Sequence, residues 1–100
     1  MAIYLILDNE VHDPEAYERY KVNVKPMVEA AGGEYLARDG KFDVMVGEWD
    51  PSRVVIFKWP SQAALDAFMS SPDYQPWKQL RESVTTTKTL VRVEGVDHQE

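Results

Sequence analysis

A chain of 100 residues, 44% hydrophobic and 28% charged, can form one globular domain and has no room for a second core. Its net charge of -6, from 17 acidic against 11 basic residues, argues against a nucleic-acid partner and against docking on an anionic membrane. Having no cysteine, the chain has no disulfide, thiolate metal site or cysteine nucleophile, and the composition fits a cytoplasmic protein.

The opening run from Ala2 to Leu7 is short and apolar and ends at Asp8-Asn9-Glu10. It has no basic leader and is too short for a signal or membrane segment, so it is expected to be a strand. Asp13-Pro14-Glu15 then starts a helix, with Asp13 as cap and Pro14 at the first helical position. Tyr17, Tyr20, Val24, Met27 or Val28, and Ala31 follow at spacings of three and four, giving one apolar stripe. Pro26 inside that pattern predicts a kink or two helical pieces, and Gly32-Gly33 ends the helix.

Glu34 to Arg38 is strand-like, and Asp39-Gly40 is a turn or bulge signal. Phe42, Val44 and Val46 alternate with Asp43, Met45 and Gly47, a further strand signal. Residues 34–38 and 42–48 are either two strands or one strand interrupted at Gly40. Arg53 to Trp59 is the clearest strand in the chain, after a turn at Trp49-Asp50-Pro51-Ser52. Ser61 caps a helix that buries Ala64, Leu65, Phe68 and Met69. A break near Pro72 precedes a second helix from about Asp73, its expected cap, which would put Pro76 in the first turn. Thr85 to Glu94 reads as the last strand, residues 1–96 as a single domain, and residues 97–100 as a polar tail.

This order predicts an α+β fold: a ferredoxin-like β-α-β-β-α-β sandwich, an antiparallel sheet with helices on one face. The strands Ala2–Leu7 and Arg53–Trp59 are apolar at both parities, with Val54 and Ile56 on one side and Val55 and Phe57 on the other. A sheet with one wet face alternates instead, so the second face needs a cover, and a second copy of the sheet is the economical one.

The segments Asp13-Pro14-Glu15-Ala16-Tyr17, Gly32-Gly33-Glu34-Tyr35-Leu36-Ala37-Arg38, Gly47-Glu48-Trp49-Asp50-Pro51-Ser52-Arg53 and Ser70-Ser71-Pro72-Asp73-Tyr74-Gln75 resemble the DUF1330 family in order and spacing, from about Tyr4 to Gly95. The resemblance implies a dimeric α+β barrel, in which two ferredoxin-like sheets pack face to face. Relatives by fold include antibiotic-biosynthesis-type monooxygenases and muconolactone isomerase. It implies a fold and a homodimer, and no established activity.

Polar residues that interrupt or border apolar elements are the candidate site. Arg38 closes a strand, Glu48 and Arg53 flank the Trp49–Ser52 turn, and Arg81 shares a helical stripe with Tyr74 and Trp77. Glu48 and Arg53 either pair across the turn as a scaffold or act on a substrate, with Glu48 as acid or base and an arginine holding a carboxylate or enolate oxygen. Arg81 either packs its stem on the aromatics or binds substrate. Tyr17 and Tyr20 are core residues whose hydroxyls could donate to a ligand oxygen. His12 is a solvated loop residue or a general base, and His98 belongs to the tail. The histidines have no metal-ligand spacing, and no phosphate loop or nucleophile elbow occurs, so neither a metal nor a cofactor is expected. A homodimeric, cofactor-independent small-molecule enzyme ranks first, performing proton transfer or oxygenation in a pocket between helices and sheet. A non-catalytic dimeric ligand-binding or structural module is the alternative.

Overall fold

The computed structural model describes residues 1–96. The expected polar tail, residues 97–100 with His98, lies outside them. The elements run β1 (Ile3–Val11), α1 (Pro14–Ala30), β2 (Glu34–Arg38), β3 (Val54–Trp59), α2 (Gln62–Met69), α3 (Gln75–Val84) and β4 (Thr85–Glu94). The strands form a four-stranded sheet in the order β2-β3-β1-β4, with antiparallel pairing throughout. This is the ferredoxin-like arrangement expected from the element order.

Local chemistry accounts for most of the boundaries. Asp13 accepts from the Ala16 N–H at 3.1 Å, and Ser61 does the same for Ala64 at 3.1 Å, each satisfying an orphan donor of a first turn. Gly32, at φ 96, lets the chain leave α1 in the left-handed conformation. Gly33 is required for a different reason: a Cβ there would stand 2.6 Å from Val28 Cγ1 and 2.9 Å from the Trp59 ring.

Four details depart from the expected pattern. Helix α1 runs as a single helix through Pro26 rather than as two pieces. The carbonyl that Pro26 deprives of a donor belongs to Val22, which is 64% exposed, so water can take the place of the missing N–H. Tyr74, not Asp73, occupies the cap of α3 and makes no side-chain cap bond. That junction is tied instead by the Gln75 side-chain amide, which donates to the carbonyls of Met69 and Ser71, each at 2.9 Å. Strand β1 continues past Leu7 to Val11, because β4 pairs with its polar end, Glu10 opposite Thr86 and Val11 opposite Thr85.

The fourth departure matters most for the site: residues 42–48 form no strand, leaving 34–38 as the only strand between α1 and β3. The alternating segment pairs with no strand, although β2 at the edge of the sheet leaves one side open, and a backbone ladder needs such a partner. Asp39 at φ 64 and Gly47 at φ 101 turn the chain at either end of an exposed arm carrying Phe42, Val44, Met45 and Val46.

The core lies on one side of the sheet. Ile3 and Trp59 from the strands pack with Val24 and Val28 of α1, Leu65 and Phe68 of α2, and Tyr74. The opposite side carries the residues of alternate parity, Tyr4 beside Lys58 and Val93, and Ile6 between Ile56 and Val91. Val91 and Val93 are exposed there.

Candidate functional site

Beneath the helices, a cavity of about 70 Å³ opens between Leu5, Phe57 and Trp59 of the sheet and Tyr20, Phe68, Met69 and Arg81 of the helices. Its polar groups are few. The hydroxyls of Tyr20 and Tyr74 share a hydrogen bond of 2.9 Å. Arg81 Nε and Trp59 Nε1 are buried with no partner among the described residues. Burial, reinforced by the neighbouring Tyr74, pushes the Tyr20 phenol far above its ordinary range, so it remains a proton donor at any physiological pH. Burial also pushes Tyr35 up to about 12, partly opposed by Arg38.

A narrower space of about 20 Å³ shares Tyr20, Tyr35, Phe57 and Arg81 with that cavity and adds Tyr17, Lys21 and Arg38. Tyr17 stacks on Tyr20 with centroids 5.5 Å apart, and the Arg38 guanidinium lies 4.3 Å over the Tyr35 ring. The stripe on α1 supplies both tyrosines because positions three apart share a helix face. Tyr17, Tyr20, Arg38 and Arg81 therefore meet around adjoining spaces. The lining thus carries phenol and guanidinium groups, which can donate to an oxygen.

Arg53 lies further along the sheet, and its partner is not Glu48. Its guanidinium pairs with Asp39 and sits 4.7 Å from the Tyr17 ring centroid. Asp39 also accepts from Lys21 Nζ at 2.8 Å, and Lys21 reaches Glu18 at 3.0 Å. Burial alone would raise the Asp39 carboxyl, but Lys21 and Arg53 outweigh it and hold the group below the usual carboxylate range. The hydrogen bond from Lys21 to Asp39 raises the ammonium in turn, against a smaller cost of burial. These groups border an open cleft of about 540 Å³ that also touches Asn9, Glu10, Phe42 and Ser52.

Glu48 stands exposed on the arm and lines neither cavity nor cleft. The hairpin pair expected with Arg53 does not form, because β3 begins at Val54 and the backbone before it is drawn to Asp8 instead. Asp8 is 1% exposed and accepts from the backbone N–H groups of Ser52 at 2.8 Å and Arg53 at 3.2 Å, and from the Trp49 indole at 3.3 Å. His12 is exposed, with Nε2 at 2.7 Å from Thr86 Oγ1 and Nδ1 at 3.6 Å from Glu10, away from both spaces.

Sequence reasoning did not single out Tyr74, Lys21, Asp39 or Asn9. Tyr74 was visible only as a stripe residue, and Asp39 only as part of a turn signal. Nothing local marks Lys21 or Asn9, whose roles arise from neighbours far along the chain. Among the described residues, no group of three or more His, Cys, Asp or Glu side chains is arranged to hold a metal ion. No helix among them is long and apolar enough to cross a membrane.

Comparison with solved structures shows the same fold. The chain is 22% identical to methylated RPA0582, with a TM-score of 0.76 over 99% of this chain and 84% of that one. A second structure of RPA0582, a protein of unknown function from Rhodopseudomonas palustris, is 21% identical with a TM-score of 0.74, covering 96% of this chain and 83% of its own. SnoaB from Streptomyces nogalater, described as a cofactor-independent oxygenase, is 12% identical with a TM-score of 0.65, over 98% and 96% of the two chains. No curated protein matches the sequence. Residues 2–96 match the family described as Domain of unknown function (DUF1330), and with its segments and fold in agreement the chain belongs to that family.

Proposed function

We propose that this protein is a cofactor-independent, homodimeric enzyme of the cytoplasm. It takes a small, mostly apolar metabolite bearing an enolisable or phenolic oxygen into the space between helices and sheet, and promotes its proton transfer or oxygenation. One observation carries the reading: the buried, unpartnered Arg81 Nε stands in the wall of an apolar cavity beside the Tyr20–Tyr74 hydroxyl pair. Donors held in a low-dielectric site stabilise a developing oxyanion better than they could in water. At about 70 Å³ the cavity takes only the oxygen-bearing end of a metabolite. The likeness in fold to a protein described as a cofactor-independent oxygenase supports the reaction class.

Thermal-shift titration with naphthols and hydroquinones, followed by oxygen-uptake measurements, tests this reading. A probe at about ten times its Kd stabilises the wild type by about 1.4 kcal/mol. Arg81→Met and Tyr20→Phe remove most of that gain and abolish uptake. Equal shifts in wild type and variants would end the proposal.

A second reading, a non-catalytic ligand-binding dimer, has its own support: among the described residues, no carboxylate or imidazole lines the apolar cavity. It is distinguished by saturable binding without turnover. Both readings include self-association through the bare sheet face around Ile6, Ile56, Val91 and Val93. Sedimentation should give a dimer for the wild type and a monomer for Val91→Lys.

A further inference from the structure

Phe42 to Val46 alternates like a strand, yet it makes no backbone hydrogen bond among the described residues, and Met45 and Val46 stand 91% and 92% exposed. Such a segment leaves open N–H and C=O groups together with apolar surface that proteins in water ordinarily cover. At the other edge of the sheet lies β4, ten residues long and exposed from Thr86 to Glu94. It offers a free ladder side and the apolar Leu90, Val91 and Val93. An edge of that kind is a template for a strand from another chain. The protein thus holds both an unpaired strand and an unfilled place for one.

The two cannot meet within one chain. A strand added outside β4 lies four strand spacings from β2, about 19 Å. Four residues, from Asp39 to Phe42, follow the end of β2 and span at most about 14 Å. The foot of the arm leads instead toward a second copy. Trp49 donates to Asp8, and Lys88 Nζ donates to the Asp50 carbonyl at 2.9 Å. Asp8 shares its side of the sheet with Ile6 and Val91, so the arm departs from the bare face proposed above for self-association.

We infer that Phe42–Val46 of each copy joins the open edge of β4 in a second copy as an added antiparallel strand, with Val44 opposite Val91. That register sets Phe42 against Val93 and Val44 against Val91 on the bare face, and Asp43 against Arg92 and Met45 against Leu90 on the helix side. Sliding by two residues instead opposes Asp43 to Glu94 or Met45 to Lys88. The exchange is reciprocal, so a two-fold axis closes it. Leu90 also lines the apolar cavity, and Met45 of the partner subunit covers it there, so the site is complete only in the dimer. The inference rests on the proposed self-association and specifies what each copy contributes to it.

Two differently tagged chains test it, one carrying Val44→Cys and the other Val91→Cys, in a protein with no cysteine of its own to give background. Mixed under reducing conditions and then oxidised, they form a disulfide joining the two positions between chains, because directly opposite residues bring their Cβ atoms within about 5 Å. Val44→Pro removes an N–H that the free arm does not use. It keeps the far-ultraviolet spectrum and raises the dimer Kd in sedimentation by about tenfold or more. A wild type that sediments as a dimer while the tagged pair yields no disulfide joining the two positions, or an unchanged Kd in Val44→Pro, would overturn the inference and leave the proposed dimer standing. A monomeric wild type overturns both.

Discussion

Replacing Asp8 by alanine should be among the most damaging single changes outside the apolar core. The carboxylate is 1% exposed and holds the chain before β3 with two backbone bonds, at 2.8 and 3.2 Å, and an indole bond at 3.3 Å. A hydrogen bond to a charged group contributes about 1.5–3 kcal/mol, and the two longer ones belong at the low end or below it. Some of the freed N–H groups regain water, so the expected loss is about 3 kcal/mol. With a urea slope of about 1.5 kcal/mol/M, the unfolding midpoint falls by about 2 M. The effect also depends on pH in a definite direction. Burial would raise the Asp8 carboxyl, but the Ser52 and Arg53 N–H groups, with Lys88 and Trp49, outweigh it and hold it below its ordinary value. A carboxyl depressed in the folded state stabilises fully above its unfolded pKa of about 3.9, and that stabilisation is lost as pH falls through the lower folded value. Wild type and Asp8→Ala should therefore differ most near neutrality and converge in the acid range. A midpoint within about 0.3 M of wild type at pH 7, or a difference that persists unchanged into acid, would refute the reasoning.

Two further predictions concern packing and the tyrosines. Gly33→Ala drives a methyl into Val28 and the Trp59 ring, neither of which can swing away, and should cost about 1–3 kcal/mol by urea denaturation; an unchanged midpoint would mean that the α1–β2 junction yields freely. Because Tyr20 and Tyr35 have raised phenol pKa values in the folded state, stability is intact below about pH 10 and falls as pH rises past it, the unfolded chain losing those protons first. Ultraviolet titration should find Tyr35 ionising near 12 and Tyr20 only on unfolding, and normal ionisation of both would show that they are solvated.

Much of the fold was legible because it is dictated locally. Asp13-Pro14 and Ser61 announce their helices by satisfying N–H groups that any helix start leaves open. The stripe through Tyr17, Val24 and Val28 declares a buried face by period alone, and strands apolar at both parities declare a sheet with two faces to cover. Period likewise places Tyr17 with Tyr20 on one helix and Arg81 with Tyr74 on another, without joining the two stripes.

What the tertiary structure decided are the pairings between distant parts of the chain. The alternation from Phe42 to Val46 looks like a strand, but alternation supplies only faces, and a strand also needs a neighbour, which this segment does not take although the outer side of β2 is open. Glu48 and Arg53 are five positions apart in sequence, yet Arg53 pairs with Asp39, across from Lys21 on α1. Asp8-Asn9-Glu10 reads as the polar end of a strand, whereas β4 extends that strand to Val11 and shuts Asp8 and Asn9 inside. A residue's identity sets what it can donate or accept; only the fold sets whether a partner or water is there to meet it.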